Sequence, residues 1–317
     1  HHQSIQTGAA KGADMTDPQS GSAASTARDG LSSSQYVLTL DCPEGPGIVH
    51  AVTGFLMEHR GDIHELKVFD DIRGGHFFLR VHFAVSDVHS DQTVDQLREA
   101  FAAVANEFGM RFELRDATAK RRVLVMVSKF AHCLNDLLFR ARTGELPIEI
   151  AAVVSNHPDH RELVEWHGIP FFHVPVTHDT KALAESRLLE VVDQLEIELV
   201  VLARYMQILS DGLTKQLSGR AINIHHSFLP SFKGAKPYHQ AWDRGVKTVG
   251  ATAHYVNSEL DEGPIISQQV REGDHSYSPE DLVAAGRDTE CGALSNAVKW
   301  HCEGRVFLHG ARTVVLR

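Results

Sequence analysis

The chain has 317 residues, 43% of them hydrophobic, enough to bury a sizeable core and more consistent with two domains than with one. Its formal net charge of −10 argues against a nucleic-acid surface, which ordinarily carries excess Lys and Arg to displace counterions from phosphate. There is no apolar run long enough to cross a bilayer and no hydrophobic centre of a secretion signal, so a cytoplasmic protein is expected; Cys42, Cys133, Cys291 and Cys302 form no CxxC pair, which suits reduced thiols.

His1 and His2, followed by QSIQTGAAKGADM, read as the remains of an affinity tag and linker, with Met15 as native start. The small, polar stretch 1–34 has little to bury and is expected to be a flexible leader. From Tyr36 the character changes. YVLTLDC alternates like a half-buried strand, PEGPG is a turn, and IVHAVTGFLMEHR puts Ile48, Val52, Phe55 and Leu56 on one helical face. Two strands around Arg73-Gly74-Gly75, an amphipathic helix in DQTVDQLREAFAAVANEF and a closing strand in MRFELRDA complete a βαββαβ order over residues 35–117, a ferredoxin-like unit. Such a unit leaves a sheet edge and one sheet face open, which predicts a homo-oligomer paired through this domain.

From residue 118 to 317 strands alternate with helices: VLVMV, HCLNDLLFRAR, EIAAVV, RELVEWHG, FFHVPV, ALAESRLLEVVDQL, LVVLA and INI. Continuous apolar strands in this alternation imply a doubly wound, mainly parallel sheet with helices on both faces, and a site at the carboxyl ends of the strands. Asn223 and His225 fall there, and Asp261 arrives on the loop between TVGATAHYV and PIISQQV. From spacing alone each has a plain alternative, an Asn closing a turn or a histidine satisfied in the core. His226 should point to the opposite face of its strand and be structural, His254 should hydrogen-bond within the site, and the segment PSFKGAKPYHQAW should wall the cleft. No HExxH and no paired Cys/His spacing occurs, so no metal is expected.

The strings NIHHSFLP, PYHQAWDRGVKTVGATAHYV and LDEGPIISQ resemble the folate-dependent formyltransferase and hydrolase superfamily over nearly all of residues 121–317. DCPEGPGIVHAVTGFL resembles the ACT regulatory domain, whose ligands are free amino acids bound at paired domain interfaces; the alternative is an assembly module alone. Superfamily members that formylate a phosphorylated sugar-amine carry a glycine-rich phosphate loop after the first strand. Residues 127–138 here read VSKFAHCLNDLL, without glycine, though Lys129 offers a cation. SKFAHCLNDLL, GRDTE at 286–290 and the ACT-like unit in front resemble the formyltetrahydrofolate deformylases, in which water is the acceptor.

That resemblance implies hydrolysis of 10-formyltetrahydrofolate to formate and tetrahydrofolate, with folate as substrate and no cofactor; formyl transfer to a small amine is the alternative. It implies Asn223 as oxyanion donor, His225 as proton shuttle and Asp261 as its orienter. It places the pterin along LARYMQILS, against Met206, Gln207, Ile208 and Leu209 and near His254; the alternative for that segment is the start of a core helix. An amino-acid effector such as glycine or methionine would sit at the turn carrying Asp41, Gly45, Gly47 and Ile48, beside Gly61 and Asp62, with backbone amides for its carboxylate and Asp41 or Asp62 for its ammonium.

Overall fold

A computed structural model describes residues 33–86, 92–227 and 237–317. The expected leader, apart from Ser33 and Ser34, and residues 230–236 of the expected cleft wall lie outside the described residues. The first unit runs β1 (Ser33–Pro43), α1 (Ile48–Glu58), β2 (Gly61–Asp71), β3 (His76–Ser86), α2 (Val94–Phe108) and β4 (Arg111–Asp116), the βαββαβ order expected. Its antiparallel sheet has the order β2-β3-β1-β4. Alternation decides which way each residue faces: Leu38 and Leu40 of β1 and Leu79, Val81 and Phe83 of β3 meet Val52 and Phe55 of α1 and Leu97 and Phe101 of α2. Helix α2 starts where Thr93 and Gln96 form a reciprocal capping box and stops at Gly109, whose φ of 63° is the left-handed conformation glycine adopts without strain.

The second unit starts at β5 (Arg121–Val127) and continues α3 (His132–Thr143), β6 (Ile148–Ser155), α4 (Arg161–Trp166), β7 (Phe171–His173), α5 (Lys181–Gln194), β8 (Leu199–Leu202), α6 (Asp211–Gln216) and β9 (Ala221–His225). Then follow α7 (Pro237–Asp243), β10 (Thr248–Tyr255), β11 (Ile265–Glu272), α8 (Pro279–Cys302), β12 (Val306–His309) and β13 (Arg312–Val315). The seven-stranded sheet has the order β11-β10-β9-β8-β5-β6-β7, with β7 through β9 parallel and β10 and β11 antiparallel. Both faces are covered. Val123, Val125 and Val127 pack with α3 and α8, while Leu124 and Met126 pack with α5 and α6. The chain runs outward from β5 to β7, then returns to β8 on the other side, so a crevice opens where the loops after β5 and β8 diverge.

One expectation needs correction. The rear face of the four-stranded sheet is not left to solvent, because the carboxyl-terminal segment of the same chain lies on it. Phe307 meets Phe78 edge-on at 5.5 Å, and His309 stacks on His76 at 5.3 Å. Arg80 Nε donates to the Glu303 carbonyl at 2.9 Å, and Arg305 pairs with Glu65 at 3.1 Å. At Gly304 a Cβ would come within 3.0 Å of Thr39 Cγ2, so that glycine is what lets the backbone approach β1.

Candidate active site

Strand β9 pairs antiparallel with β10 in a register that sets Asn223 opposite His254 and His225 opposite Thr252. The loop after β10 turns back at once: Tyr255 N–H donates to the Pro264 carbonyl at 2.9 Å. A Cβ on Gly263 would sit 1.6 Å from the Tyr255 carbonyl oxygen, so only glycine fits there. Asp261, in the same loop, has φ of 58°, a left-handed conformation that Asp tolerates better than most residues and that aims its carboxylate back at β9.

His225 and His254 both meet Asp261. His225 Nδ1 lies 3.2 Å from Asp261 Oδ2, and His254 Nε2 lies 3.8 Å from Oδ1. Burial by itself would raise the Asp261 carboxyl, but the hydrogen bond from His225 opposes it, and the group is held well below the usual carboxylate range. An ionised Asp261 can only accept, so the His225 Nδ1 carries the proton. His225 Nε2 is buried with no hydrogen-bond partner among the described residues. His254 Nδ1–H donates to the Tyr255 carbonyl at 2.9 Å, which leaves its Nε2 to accept from Asn223 Nδ2 at 3.4 Å. One Asn223 N–H is spent there and the other is left for the cleft.

The cleft around this group has a volume of ≈330 Å³ and is also lined by Met206, Gln207, Ile208 and Leu209. Those four lie in the irregular connection between β8 and α6, before the helix begins at Asp211. The segment is pinned at both ends: Met206 N–H donates to Ser128 Oγ at 3.0 Å, and the Ser210 N–H donates to Glu185 at 2.8 Å. Between the pins, Met206 and Ile208 stay exposed.

The structure corrects the reading of His226. Strand β9 ends at His225, so the alternation of faces stops there, and both imidazoles line the same cleft with ring centroids 5.2 Å apart. Burial, helped by the positive charge of Arg204, pushes His226 down to about 4, so it is neutral at physiological pH.

A second polar cluster adjoins the first and was not anticipated. Glu290 of α8 is buried and accepts from His132 Nε2 at 2.7 Å and from the Tyr238 hydroxyl at 2.9 Å. Arg204 Nε stands 3.5 Å from the same carboxylate, and its guanidinium lies over Phe130, 5.4 Å from the ring centroid. Ligand atoms of His132, Cys133 and Glu290 lie within 4.8 Å of one another, but the adjacent guanidinium opposes a cation, and the cluster reads as an ion-pair network. The sequence held a signal for each: Arg204 is a charge directly after a fully apolar strand, and Glu290 falls on the apolar stripe of α8 with Gly286, Ala293 and Ala297.

The proposed effector residues do not gather within one chain. Asp41 faces Phe78 in the β1–β3 register and Gly61 faces Val85 in the β2–β3 register, so seven positions of β3 separate the two groups. The Asp41 carboxylate is already paired with His76 at 2.8 Å and Arg111 at 2.6 Å. Gly47 has φ of 88° and begins α1 ahead of the buried Ile48; Gly45 is open; Asp62 is largely exposed.

The profile of the formyl transferase family matches residues 121–298. A formyltetrahydrofolate deformylase from Corynebacterium sp. (strain P-1) is 67% identical over 283 residues, covering 89% of this chain and 98% of the relative. The chain belongs to the formyltetrahydrofolate deformylase family. The likeness extends through both units: the crystal structure of a formyltetrahydrofolate deformylase from Burkholderia mallei superposes with a TM-score of 0.85 at 54% identity, over 90% of this chain and all of that one. A glycinamide ribonucleotide transformylase from Symbiobacterium toebii matches only 63% of this chain, at 29% identity and TM-score 0.60. Family membership makes the chain an enzyme. Among the described residues no helix is long and apolar enough to cross a membrane.

Proposed function

We propose that the cleft hydrolyses 10-formyltetrahydrofolate to formate and tetrahydrofolate, with Asn223, His225 and Asp261 as its chemical groups. The observation that carries this reading is the His225 ring, held by Asp261 through Nδ1 while Nε2 has no partner among the described residues, in a cleft that Asn223 also lines. A neutral Nε2 takes a proton from water as the oxygen attacks the formyl carbon. Negative charge then grows on the formyl oxygen, where the free Asn223 N–H donates to it, an effect worth about 10²- to 10³-fold for one donor. The imidazolium, stabilised by the Asp261 carboxylate, returns the proton to N10 as the C–N bond breaks, and the formic acid released ionises to formate. Asp261 orients throughout and stays ionised.

The pterin is assigned to the shelf of Met206, Gln207, Ile208 and Leu209. Among the described residues the backbone of Gln207 to Leu209 makes no hydrogen bond to other backbone groups, which leaves donors and acceptors for the pterin edge, while Met206 and Ile208 offer apolar surface. No cofactor takes part. The partners are folate and water, in the cytoplasm.

The ferredoxin-like unit is assigned to assembly. Its edge strand β2 exposes Val68 and Phe69, with Ile72 exposed in the turn just after it, and antiparallel pairing of two such edges about a two-fold axis would bring Gly61 and Asp62 of one chain to the Asp41–Ile48 end of its partner. An amino-acid effector then belongs between chains, with Asp62 receiving the ammonium because Asp41 is already paired.

The test of the reaction is an incubation with 10-formyltetrahydrofolate and no amine, measuring formate. Glycinamide ribonucleotide added in a parallel arm should leave formate as the product; formylated ribonucleotide appearing at a comparable rate would assign the chain to transfer instead.

A further inference from the structure

Arg204 is an arginine that its surroundings use incompletely. Its side chain is nine-tenths buried and its backbone is in the left-handed region, φ 65°. Among the described residues Nε and Nη1 have no hydrogen-bond partner, and at 3.5 Å from Glu290 the Nε makes an ion pair without a hydrogen bond. Glu290, in contrast, is satisfied on both oxygens by His132 and Tyr238. Had pairing been the whole task of Arg204, the planar fork would dock on the carboxylate with two N–H bonds. Buried donors left open cost free energy and persist where a ligand completes them. These donors belong to a residue that lines the same cleft as His225, whose Nε2 is likewise without a partner among the described residues.

Resting on the hydrolytic reading above, we propose that Arg204 forms an anion subsite for the departing product, a small planar monocarboxylate, and holds formate after the C–N bond has broken. The chemistry fits. Hydrolysis converts a neutral formyl group into a carboxylate, and a guanidinium favours the second over the first by charge and by shape. Phe130 supplies a flat apolar wall under the guanidinium, and Glu290 sets its orientation without consuming its donors. His226, neutral beside it, adds no competing positive charge and can donate or accept one hydrogen bond.

The test is titration of the full chain with ¹³C-formate, followed by NMR line broadening with and without tetrahydrofolate, on wild type, Arg204→Gln, Glu290→Gln and the double variant R204Q/E290Q. Wild type should bind formate saturably. R204Q and the double variant should weaken that binding about tenfold or more, the loss expected for a charge-assisted hydrogen bond, while E290Q should not weaken it. The double variant removes both charges together, so it decides the matter if R204Q alone, with Glu290 left uncompensated, fails to fold. Absence of saturable binding in wild type, unchanged binding in the Arg204 variants, or an equal loss in E290Q, as a merely structural ion pair requires, would each overturn the proposal. Formate binding needs no turnover. A wild type that releases no formate from 10-formyltetrahydrofolate yet loses formate binding in R204Q would keep the anion subsite and remove the deformylase reading.

Discussion

Truncating Asn223, His225 or Asp261 to alanine should lower kcat by about 10²- to 10⁴-fold while folate affinity changes little, because each group acts on charge that exists only in the transition state. Steady-state kinetics with an equilibrium folate titration separate the two effects; two variants retaining near-wild-type turnover would end the assignment. Acid stability is a second residue-level outcome. Burial is the main force pushing His226 and His301 down to about 4, so both rings are neutral in the folded chain, whereas an unfolded imidazole titrates near 6.5. Between those values the unfolded chain binds more protons. The stability these rings support is therefore full above about pH 6.5 and is lost as pH falls toward 4, by roughly 2–3 kcal/mol per ring at most. Asp261, held low, acts with the same sign at still lower pH. Urea midpoints measured from pH 7 to 4.5 should fall in wild type and fall less in His301→Asn, whose ring meets the Tyr255 hydroxyl at 2.6 Å; equal slopes would show that other groups dominate.

At the level of elements, the turn from β10 to β11 is the most constrained part of the site. Gly263→Ala must displace the Tyr255 carbonyl, which also accepts from His254, so Asp261 and His254 move together. A loss of roughly 2–4 kcal/mol in stability, with kcat falling as for Asp261→Ala, is expected; a variant with normal stability and turnover would mean the turn relaxes freely. Glycine at 263 could be read in the sequence, but not its necessity, which depends on a carbonyl eight residues earlier. The same limit separates what was legible from what was not. Periodicity in 36–116 and strand-helix alternation from 121 were enough for both sheets, since those patterns are local. Asn223 and His225 stood out because polar residues interrupt an apolar strand, and Asp261 because the string LDEGPIISQ carries a family resemblance. The Arg204–Glu290 contact joins a strand end to a helix far along the chain, and neither residue names the other. The misplacement of His226 came from extending strand alternation one residue past its end.

For the whole molecule, the exposed β2 edge leads to a solution experiment. Val68 and Phe69 are 49% and 43% exposed on a strand with one free side, so light scattering should find an oligomer, and Val68→Lys with Phe69→Asp should shift it toward monomer. An unchanged mass would place the interface elsewhere. The carboxyl-terminal hairpin on the rear of the four-stranded sheet also orders events during synthesis. Arg80 waits for Glu303 across a separation of 223 residues, and Asp71 waits for His309 across 238. Of the two units, the one that leaves the ribosome first is thus finished last: its helical side can close early, while its other side stays bare until the segment carrying Glu303 and His309 has been made. A nascent chain arrested before β12 should expose that bare sheet to chaperones and proteases, although every residue of the unit has already been made.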